Sequence, residues 1–383
     1  MRIKGLDGLR AIAFLLVFFF HARFGTFGWM GVQLFFVLSG FLITGILLDM
    51  KRLLSPQWYF VKFYGRRFLR IIPLYYLYLF LIAQVAAYFL AQQNHKGYML
   101  MFRDQLPYAL GYVYNFFMAT SKFEETSAFL THLWSLAVEE QFYIIWPLVV
   151  FLLPFKHLKK AFWASIVIAP LFRLGVLLFY RSASFAILGD AYEAAYALPL
   201  SHLDAFAVGA LLTLTPKIPK ARLQFFLLLF LLPAVGMLTD YLTVGQWNIQ
   251  NSFGWQLLLP NAYKSVWGYS ALNYLFLLLI YGVAREQWFV GFLNQPWLRY
   301  LGKISYGLYV YHYAIYWIFT QILFPQLDII AGTVSSLALT ILIASASYHA
   351  FEWPIDSLKD RWFPFERKTS YLEATQDADQ PIP

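Results

Sequence analysis

Two adjacent glutamates, Glu139 and Glu140, lie within an apolar stretch between His132 and Pro154. The stretch has the length and composition of a transmembrane helix. An ionised carboxylate is costly in hydrocarbon, so acidic residues inside such spans usually face a protein interior or a water-filled cavity. The glutamate pair therefore marks a candidate site for acid–base chemistry.

Further polar residues lie at a similar predicted depth. His21 ends the first apolar stretch, about 20 Å from the opposite end of that helix at 1.5 Å per residue. His202 and Asp204 enter another span from the same side. A neutral histidine is a suitable general base near neutral pH. We expect an acid–base site in the outer half of the membrane, although His21 would also fit as a satisfied buried histidine.

A cluster of arginines lies near the inner side. Arg67 and Arg70 are three residues apart, on one face of a helix, and Arg66 and Arg10 lie at a similar level. The planar guanidinium group binds phosphate through paired hydrogen bonds. The pattern predicts an anion site, but the same arginines would also serve as topology anchors at lipid phosphates. Asp7 nearby is interpreted as an N-cap, and Arg173 with Asp204 as a possible structural ion pair.

The composition indicates the elements that position these groups. Hydrophobic residues make up 60% of the chain and charged residues 13%, which is typical of a polytopic membrane protein. We predict an all-α bundle of about ten transmembrane helices and treat 104–118 as an outer or re-entrant element. The predicted spans are approximately 8–24, 30–49, 71–92, 136–154, 162–180, 197–215, 222–240, 265–284, 303–324 and 330–350.

Most of the 29 lysines and arginines fall on one side of this arrangement. By the positive-inside rule both termini lie in the cytoplasm, in a multi-pass protein of the plasma or inner membrane. The net charge of +9 then reflects membrane topology and requires no nucleic-acid partner. The first apolar run lacks a small-residue cleavage site, so we interpret it as a retained helix. The chain has no cysteine, which excludes disulfides and thiol catalysis.

The chain is expected to form one folded unit. We assign residues 1–366 to a membrane domain and the polar, aperiodic residues 367–383 to a disordered tail. No internal repeat is visible, which argues against an inverted-repeat transporter. We expect no bound metal and no permanently bound cofactor.

Seven sequence blocks occur in a fixed order between residue 6 and about residue 354. They are Leu6-Asp7-Gly8-Leu9-Arg10 followed by His21, then Gly31–Thr44, Arg67-x-x-Arg70 before Pro73, Trp134–Tyr143, Asp204–Gly209, Leu301–His312 and Glu352–Pro354. In this order they resemble the acyltransferase-3 family of membrane O-acyltransferases. The block Trp134–Tyr143 is the most specific of them.

The resemblance implies transfer of an acyl group, most often acetyl, from cytoplasmic acyl-coenzyme A to a hydroxyl of a glycan, lipid-linked or glycosylated acceptor. It implies His21 as general base and Glu139 as the carboxylate that orients its imidazole. The implied donor-binding residues are Arg10, Arg67 and Arg70. The implied substrate contacts are Trp134, Ser135, Glu140, Asp204 and His312.

Two other functions remain open. An exporter or flippase of a lipid-linked glycan would use the same cavity without chemistry, and an ion-coupled transporter would use Glu139 as a proton carrier. A coenzyme A site together with His21 would distinguish the acyltransferase from both. We favour direct transfer over an acyl-enzyme, for which a histidine or a serine such as Ser39 would be needed. Acyl-coenzyme A, the acceptor and membrane lipid are the expected partners, and the sequence does not specify acyl chain, acceptor or oligomeric state.

Overall fold

The computed structural model describes residues 3–121, 123–181, 189–247 and 252–365, so the predicted tail 367–383 lies outside the described residues. The described residues form helices and no β-strand. The helices are α1 (Leu6–His21), α2 (Met30–Leu53), α3 (Pro56–Ala91), α4 (Lys96–Leu110), α5 (Tyr114–Ala119), α6 (Leu133–Leu152), α7 (Phe155–Arg181), α8 (Ala191–Ala197), α9 (Leu203–Thr213), α10 (Ala221–Val244), α11 (Lys264–Arg285), α12 (Val290–Leu293), α13 (Pro296–Lys303), α14 (Ser305–Trp317), α15 (Ile329–Ser347) and α16 (Trp353–Trp362).

Seven helical segments of the described residues are long and apolar enough to cross a membrane. An eighth is obtained if the bent pair α8 and α9, which turns by 68°, is counted as one span. The all-α fold is therefore confirmed for the described residues, with seven or eight candidate spans where ten were predicted. The other two predicted spans coincide with α1, which has 16 residues, and with α14 and the π-helical turn Ile318–Leu323 that follows it.

The third helix begins much earlier than the predicted boundary at residue 71. α3 starts at Pro56, directly after an extended Ser55, and continues for 36 residues. Proline is well suited to the first turn of a helix because its missing N–H has no intrahelical partner there. Arg66, Arg67 and Arg70 consequently lie within a rigid helix instead of in a segment before it. The segment 104–118 folds into parts of the two short helices α4 and α5.

The first helix is held against α12 and α13 through direct backbone contact. Its N-cap is Gly5, with a left-handed φ of 86°, and Asp7 lies in the first turn, which corrects the predicted N-cap role of Asp7. A Cβ atom on Gly302 would lie 1.9 Å from the carbonyl oxygen of Asp7. A Cβ atom on Gly8 would lie 2.2 Å from the carbonyl oxygen of Leu293. Only glycine at these two positions allows α1 to pack this closely, so the axial position of α1 is fixed.

Candidate active site

A cavity of about 560 Å³, which we call the arginine cavity, lies between α1, α3 and α16. Its walls combine six cationic side chains with three carboxylates and leave room for a ligand larger than a single phosphate. The charged lining residues are Asp7, Arg10, Arg66, Arg67, Arg70, Lys303, Asp356, Lys359 and Asp360.

The cations of the arginine cavity differ in their partners. Arg66 pairs with Asp360 at 2.9 Å, and Arg70 lies 3.5 Å from Asp356. Within the described parts of the chain, Arg10 and Arg67 have no ion-pair partner. The guanidinium group of Arg67 stacks instead at 5.6 Å from the centre of the Tyr143 ring. The guanidinium groups of Arg10 and Arg67 are therefore available to bind an anionic ligand.

A second cavity of about 220 Å³, the central cavity, continues from Arg10 and Arg67 towards the middle of the bundle. Its polar wall is formed by Ser39 of α2 with Glu139 and Tyr143 of α6. The hydroxyl of Ser39 donates a hydrogen bond of 2.5 Å to Oε1 of Glu139, and the hydroxyl of Tyr143 donates to the same oxygen. Glu139 and Tyr143 are four residues apart on α6, so helical periodicity places both on the face that meets Ser39.

Both glutamates of the pair meet the arginines in a small adjoining cavity of about 90 Å³. Oε2 of Glu140 is buried there and has no hydrogen-bond partner among the described residues. Because opposite charges line this narrow space, a ligand group that enters it meets a preorganised electrostatic field. The acidic and basic residues lining it are Arg10, Arg67, Arg70, Glu139 and Glu140.

A third cavity of about 690 Å³, the histidine cavity, lies at the His21 end of α1. His21, Arg23, His132 and Trp134 contribute to its wall. The remaining wall is rich in rings that combine an apolar face with a polar edge. The other aromatic lining residues are Phe20, Trp29, Tyr98, Phe123, Tyr196, Tyr309, Tyr313, Tyr316 and Trp317.

His21 is held by neighbouring rings. Its Nδ1 lies 2.8 Å from Nε2 of His312, and its ring stacks on Tyr313 with centroids 4.4 Å apart. His312 in turn bonds through Nδ1 to the carbonyl oxygen of Tyr309 at 2.6 Å. The imidazole of His21 is thereby fixed at the edge of a large cavity, a geometry suited to proton transfer.

One layer of side chains separates the central and histidine cavities. Val32 and Tyr309 line both of them. The hydroxyl of Tyr309 lies 2.6 Å from the hydroxyl of Ser135, so the layer is anchored to the start of α6. The three cavities thus follow one another through the bundle, with their shared residues at each junction.

A match to a family model shows which family of known proteins this chain belongs to. The acyltransferase-3 model, described as an acyltransferase domain, matches residues 3–349. The chain belongs to this acyltransferase family. Similar curated proteins include the O-acetyltransferase OatA of Staphylococcus aureus strain NCTC 8325 / PS 47 and OatA of strain COL. Each is 29% identical over 381 residues, which covers 95% of this chain.

The chain spans 58% of the length of these OatA proteins, so they contain sequence beyond the matched region. No solved structure matches the chain significantly. Membership of the family confirms the resemblance inferred from the sequence blocks.

The structure brings together all three predicted donor-site residues. Arg10, Arg67 and Arg70 line the arginine cavity and also meet Glu139 and Glu140. Of the predicted substrate contacts, Trp134 lines the histidine cavity, whereas its neighbour Ser135 lines the central cavity. The helix containing them therefore contributes to both sides of the dividing layer.

The predicted direct pairing of Glu139 with His21 is not formed. His21 bonds to His312, and Glu139 bonds to Ser39 and Tyr143 in the central cavity. The physical reason is depth. His132, which lines the same cavity as His21, lies seven residues before Glu139 on α6, and that separation is about 10 Å along a helix.

Two other predicted substrate contacts are buried and bonded to protein groups, and neither lines one of the three cavities. His312 is fully buried, uses both ring nitrogens within the protein, and lines none of the three cavities. Asp204 is fully buried as well and bonds to Arg173 at 2.9 Å and to Ser270 at 2.5 Å. The structural ion pair considered for Arg173 and Asp204 is therefore the arrangement observed.

Three site residues escaped the sequence-based prediction. Tyr143, Tyr309 and His132 line the cavities without having been selected. Helical spacing offered a signal for two of them, because Tyr143 is four residues from Glu139 and Tyr309 is three residues from His312. His132 precedes Trp134 by two residues, at the mouth of the most specific block.

Proposed function

We propose that this protein is a membrane O-acyltransferase that moves an acyl group, in the first instance acetyl, from cytoplasmic acyl-coenzyme A to a hydroxyl of a glycan or glycosylated acceptor. The observation that carries the proposal is a row of three cavities. Arginines with no ion-pair partner among the described residues lie at one end, and His21, held by its neighbours, lies at the other. The OatA relatives, which are named O-acetyltransferases, support the acetyl group.

The arginine cavity is the proposed donor site. Coenzyme A carries several phosphates, and a guanidinium group binds phosphate bidentately. Arg10 and Arg67 line both the arginine cavity and the central cavity. They would hold the phosphates while the slim pantetheine arm extends past Ser39 and Glu139 towards the dividing layer.

The histidine cavity is the proposed acceptor site. Its aromatic faces and tyrosine hydroxyls suit a ligand that offers both C–H faces and hydroxyl groups. Its volume of about 690 Å³ accommodates at least one sugar ring with its substituents. A glycan or glycosylated small molecule has the chemistry to fill it.

The reaction requires one proton transfer and one acyl transfer. His21 removes the proton of the acceptor hydroxyl as its oxygen attacks the thioester carbonyl carbon. The bond between that carbon and sulfur breaks, and coenzyme A leaves as the thiolate, which then takes up a proton. Movement of Val32 and Tyr309, the layer between the two cavities, would allow the thioester to meet the acceptor.

We also propose ten membrane crossings with both ends of the domain in the cytoplasm. The order of helices supports this arrangement, because α1 and α14 with its π-helical turn supply the two crossings beyond the eight long or bent spans. The absence of cysteine permits a direct test with single introduced cysteines. A membrane-impermeant thiol reagent added outside intact cells should label His95→Cys and leave Lys217→Cys unlabelled, and the reverse pattern would overturn the orientation.

The function is tested with protein reconstituted in nanodiscs, acetyl-coenzyme A labelled in its acetyl group, and a panel of glycan acceptors. Wild-type protein should release free coenzyme A and place the label on one acceptor class. His21→Gln should lower this rate about 10²–10⁴-fold, the usual contribution of a general base, without loss of folded protein. A thiol-specific dye measures coenzyme A release without background from the protein, which contains no cysteine.

Other outcomes of this experiment would reject the proposal. Movement of an unmodified glycan across a vesicle membrane, with no label transferred, would indicate the exporter. Label transfer at the wild-type rate by well-folded His21→Gln protein would remove His21 from the mechanism while leaving the acyltransferase itself in place.

A further inference from the structure

The hydrogen bonds around His21 have a polarity that follows from one backbone group. Nδ1 of His312 lies 2.6 Å from the carbonyl oxygen of Tyr309. A carbonyl oxygen only accepts hydrogen bonds, so the proton of this contact must belong to Nδ1 of His312. The other nitrogen of a neutral His312, Nε2, is then an acceptor.

The same reasoning extends to His21. Nδ1 of His21 lies 2.8 Å from Nε2 of His312, so His21 must donate this bond from an Nδ1–H group. A neutral His21 with its proton on Nδ1 has a free lone pair on Nε2. That nitrogen belongs to a ring on the wall of the histidine cavity.

The surroundings of His312 keep the donor and acceptor of the His21–His312 hydrogen bond from exchanging. His312 is fully buried, and its ring meets the edge of Phe14 at 5.8 Å, with Phe18 at 6.4 Å. An apolar setting disfavours a charged imidazole, which would donate from both nitrogens and force the opposite tautomer on His21. His312 therefore stays in the neutral state that accepts a proton from His21.

We infer that His312 is a positioning residue that holds His21 in the tautomer with Nε2 free to act as the base. This assignment rests on the proposed function for the role of His21, but the tautomer itself does not. In catalytic triads a carboxylate has the corresponding task. Here a neutral imidazole, anchored on the carbonyl of Tyr309, orients the base.

The tautomer is measured directly by nitrogen NMR on protein labelled with ¹⁵N-histidine in lipid. The chain has seven histidines, and the His21→Gln spectrum assigns the His21 signals by difference. Wild-type protein should show a protonated Nδ1 and an unprotonated Nε2 at His21. A protonated Nε2 with an unprotonated Nδ1 would overturn the inference, whatever the enzyme assays show.

Substitutions then test the role in catalysis. His312→Phe fills the space without an acceptor, and we expect kcat to fall at least tenfold with little change in the KM for the donor, and the His21 Nδ1–H signal to be lost. His312→Gln retains a side-chain oxygen acceptor and should recover part of kcat and the Nδ1–H signal. Equal kcat for both variants, or an intact His21 tautomer in well-folded His312→Phe, would reject the positioning role.

His202 supplies a matched control. It is fully buried, accepts from Gln33 at 3.0 Å through Nδ1, and donates to the carbonyl oxygen of Tyr196 at 2.6 Å through Nε2, yet no bond connects it to His21. His202→Gln should leave the His21 signals in place. Failure of the proposed function would instead appear as no label transfer by wild-type protein, with the predicted tautomer still present at its His21.

A separate observation concerns His132, on the same cavity wall. Its Nε2 lies 2.9 Å from the carbonyl oxygen of Val310 and must donate to it. Its Nδ1 is then an acceptor, and this atom is buried without a hydrogen-bond partner among the described residues. His132 contributes to the cavity wall, and a buried acceptor left unpaired is costly unless a ligand or water satisfies it.

We propose that His132 accepts a hydrogen bond from a second hydroxyl of the acceptor. The acceptor class would be a polyol, with one hydroxyl at His21 and another at His132. The test compares a polyol acceptor with its deoxy analogue, which lacks one neighbouring hydroxyl. Wild-type protein should prefer the polyol in kcat/KM by at least tenfold, and His132→Phe should reduce that preference to near one. A preference unchanged in active His132→Phe would overturn the assignment.

Discussion

Arg173 differs from Arg10 and Arg67 in how many protein groups bond to its guanidinium group. Arg173 is fully buried and bonds to the carbonyl of Val266, to Asp204 and to Ser270, at distances of 2.8–3.0 Å, and also to the carbonyl of Ser201. Its charge is neutralised and its donors are occupied. It leaves nothing for a ligand.

Arg10 and Arg67 are different. Both are partly buried, both line the arginine and central cavities, and neither has an ion-pair partner in the described parts of the chain. Desolvating a charge without a partner is unfavourable, and a bound anion would supply the missing partner. The contrast indicates that saturation by protein groups, more than depth, separates a structural arginine from a ligand-binding one.

The largest expected effect is on stability, at the saturated site. Arg173→Met leaves Asp204 buried without its partner, and we expect the free energy of unfolding to fall by about 3–5 kcal/mol. Thermal unfolding in detergent, followed by circular dichroism, measures the change. The double variant Arg173→Met/Asp204→Leu removes both charges and should recover much of the loss, and an unchanged melting temperature in the single variant would contradict the structural role.

The second effect is on donor binding, at the unsaturated site. Arg67→Met should weaken binding of coenzyme A about 10–100-fold, because a hydrogen bond to a charged group is worth about 1.5–3 kcal/mol. Its melting temperature should change much less than that of Arg173→Met, because removing Arg67 relieves its repulsion with Arg70 but also removes its attraction to Glu139. Isothermal titration calorimetry with coenzyme A measures the affinity.

The neighbouring Arg66 is the control for that experiment. It lies on the same helix but bonds to Asp360 and to the carbonyl oxygen of Phe363 at 3.0 Å. Arg66→Met should weaken binding less than Arg67→Met does. Unchanged affinity in both variants would favour the alternative in which the arginines only fix membrane topology, and an equal loss in both would show that the ion pair of Arg66 does not distinguish it from Arg67.

A smaller effect is expected when charge is kept and shape is changed. Arg10→Lys and Arg67→Lys retain a cation but lose the planar fork that matches phosphate. Each should reduce coenzyme A affinity by less than the corresponding methionine variant, with membrane insertion unchanged. Wild-type affinity in both lysine variants would show that no bidentate contact is made.

The smallest effect is expected at an exposed pair. Arg103 and Asp104 are 2.8 Å apart, with side chains 63% and 62% exposed. Exposed ion pairs contribute at most about 1 kcal/mol, and often nothing measurable. Arg103→Ala should leave both the melting temperature and coenzyme A affinity within error, which sets the baseline for the other variants.

The sequence predicted the helical membrane fold and the two chemical ends of the site, because these depend on hydropathy and on the depth of single residues. Depth along a helix placed Arg10, Arg67 and Arg70 together and separated them from His21. It also held the information that Glu139 is too far along α6 to reach His21, which the prediction overlooked. The bends and the early start of α3 depend on packing and on local capping, which hydropathy does not report.

Contacts between distant segments were beyond the sequence-based prediction. His312 follows His21 by 291 positions in the sequence. Only the packing of α14 against α1 shows that His312 bonds to His21 and does not line a cavity. The same holds for Ser39 and Glu139, which come from α2 and α6. A motif identifies residues that matter, whereas tertiary packing decides which of them share a cavity.

The packing of α1 against α12 and α13 has a consequence for the length of the donor. Arg10 and His21 are carried by one unbroken helix, eleven residues apart, or about 16 Å along its axis. Gly8 and Gly302 fix where that helix stands, so both ends are set at once. In the proposed reaction the distance from Arg10 to His21 sets a minimum length for the donor. If the thioester of a donor lay much closer than this to its phosphates, the arginines would bind the phosphates but the thioester would not reach His21.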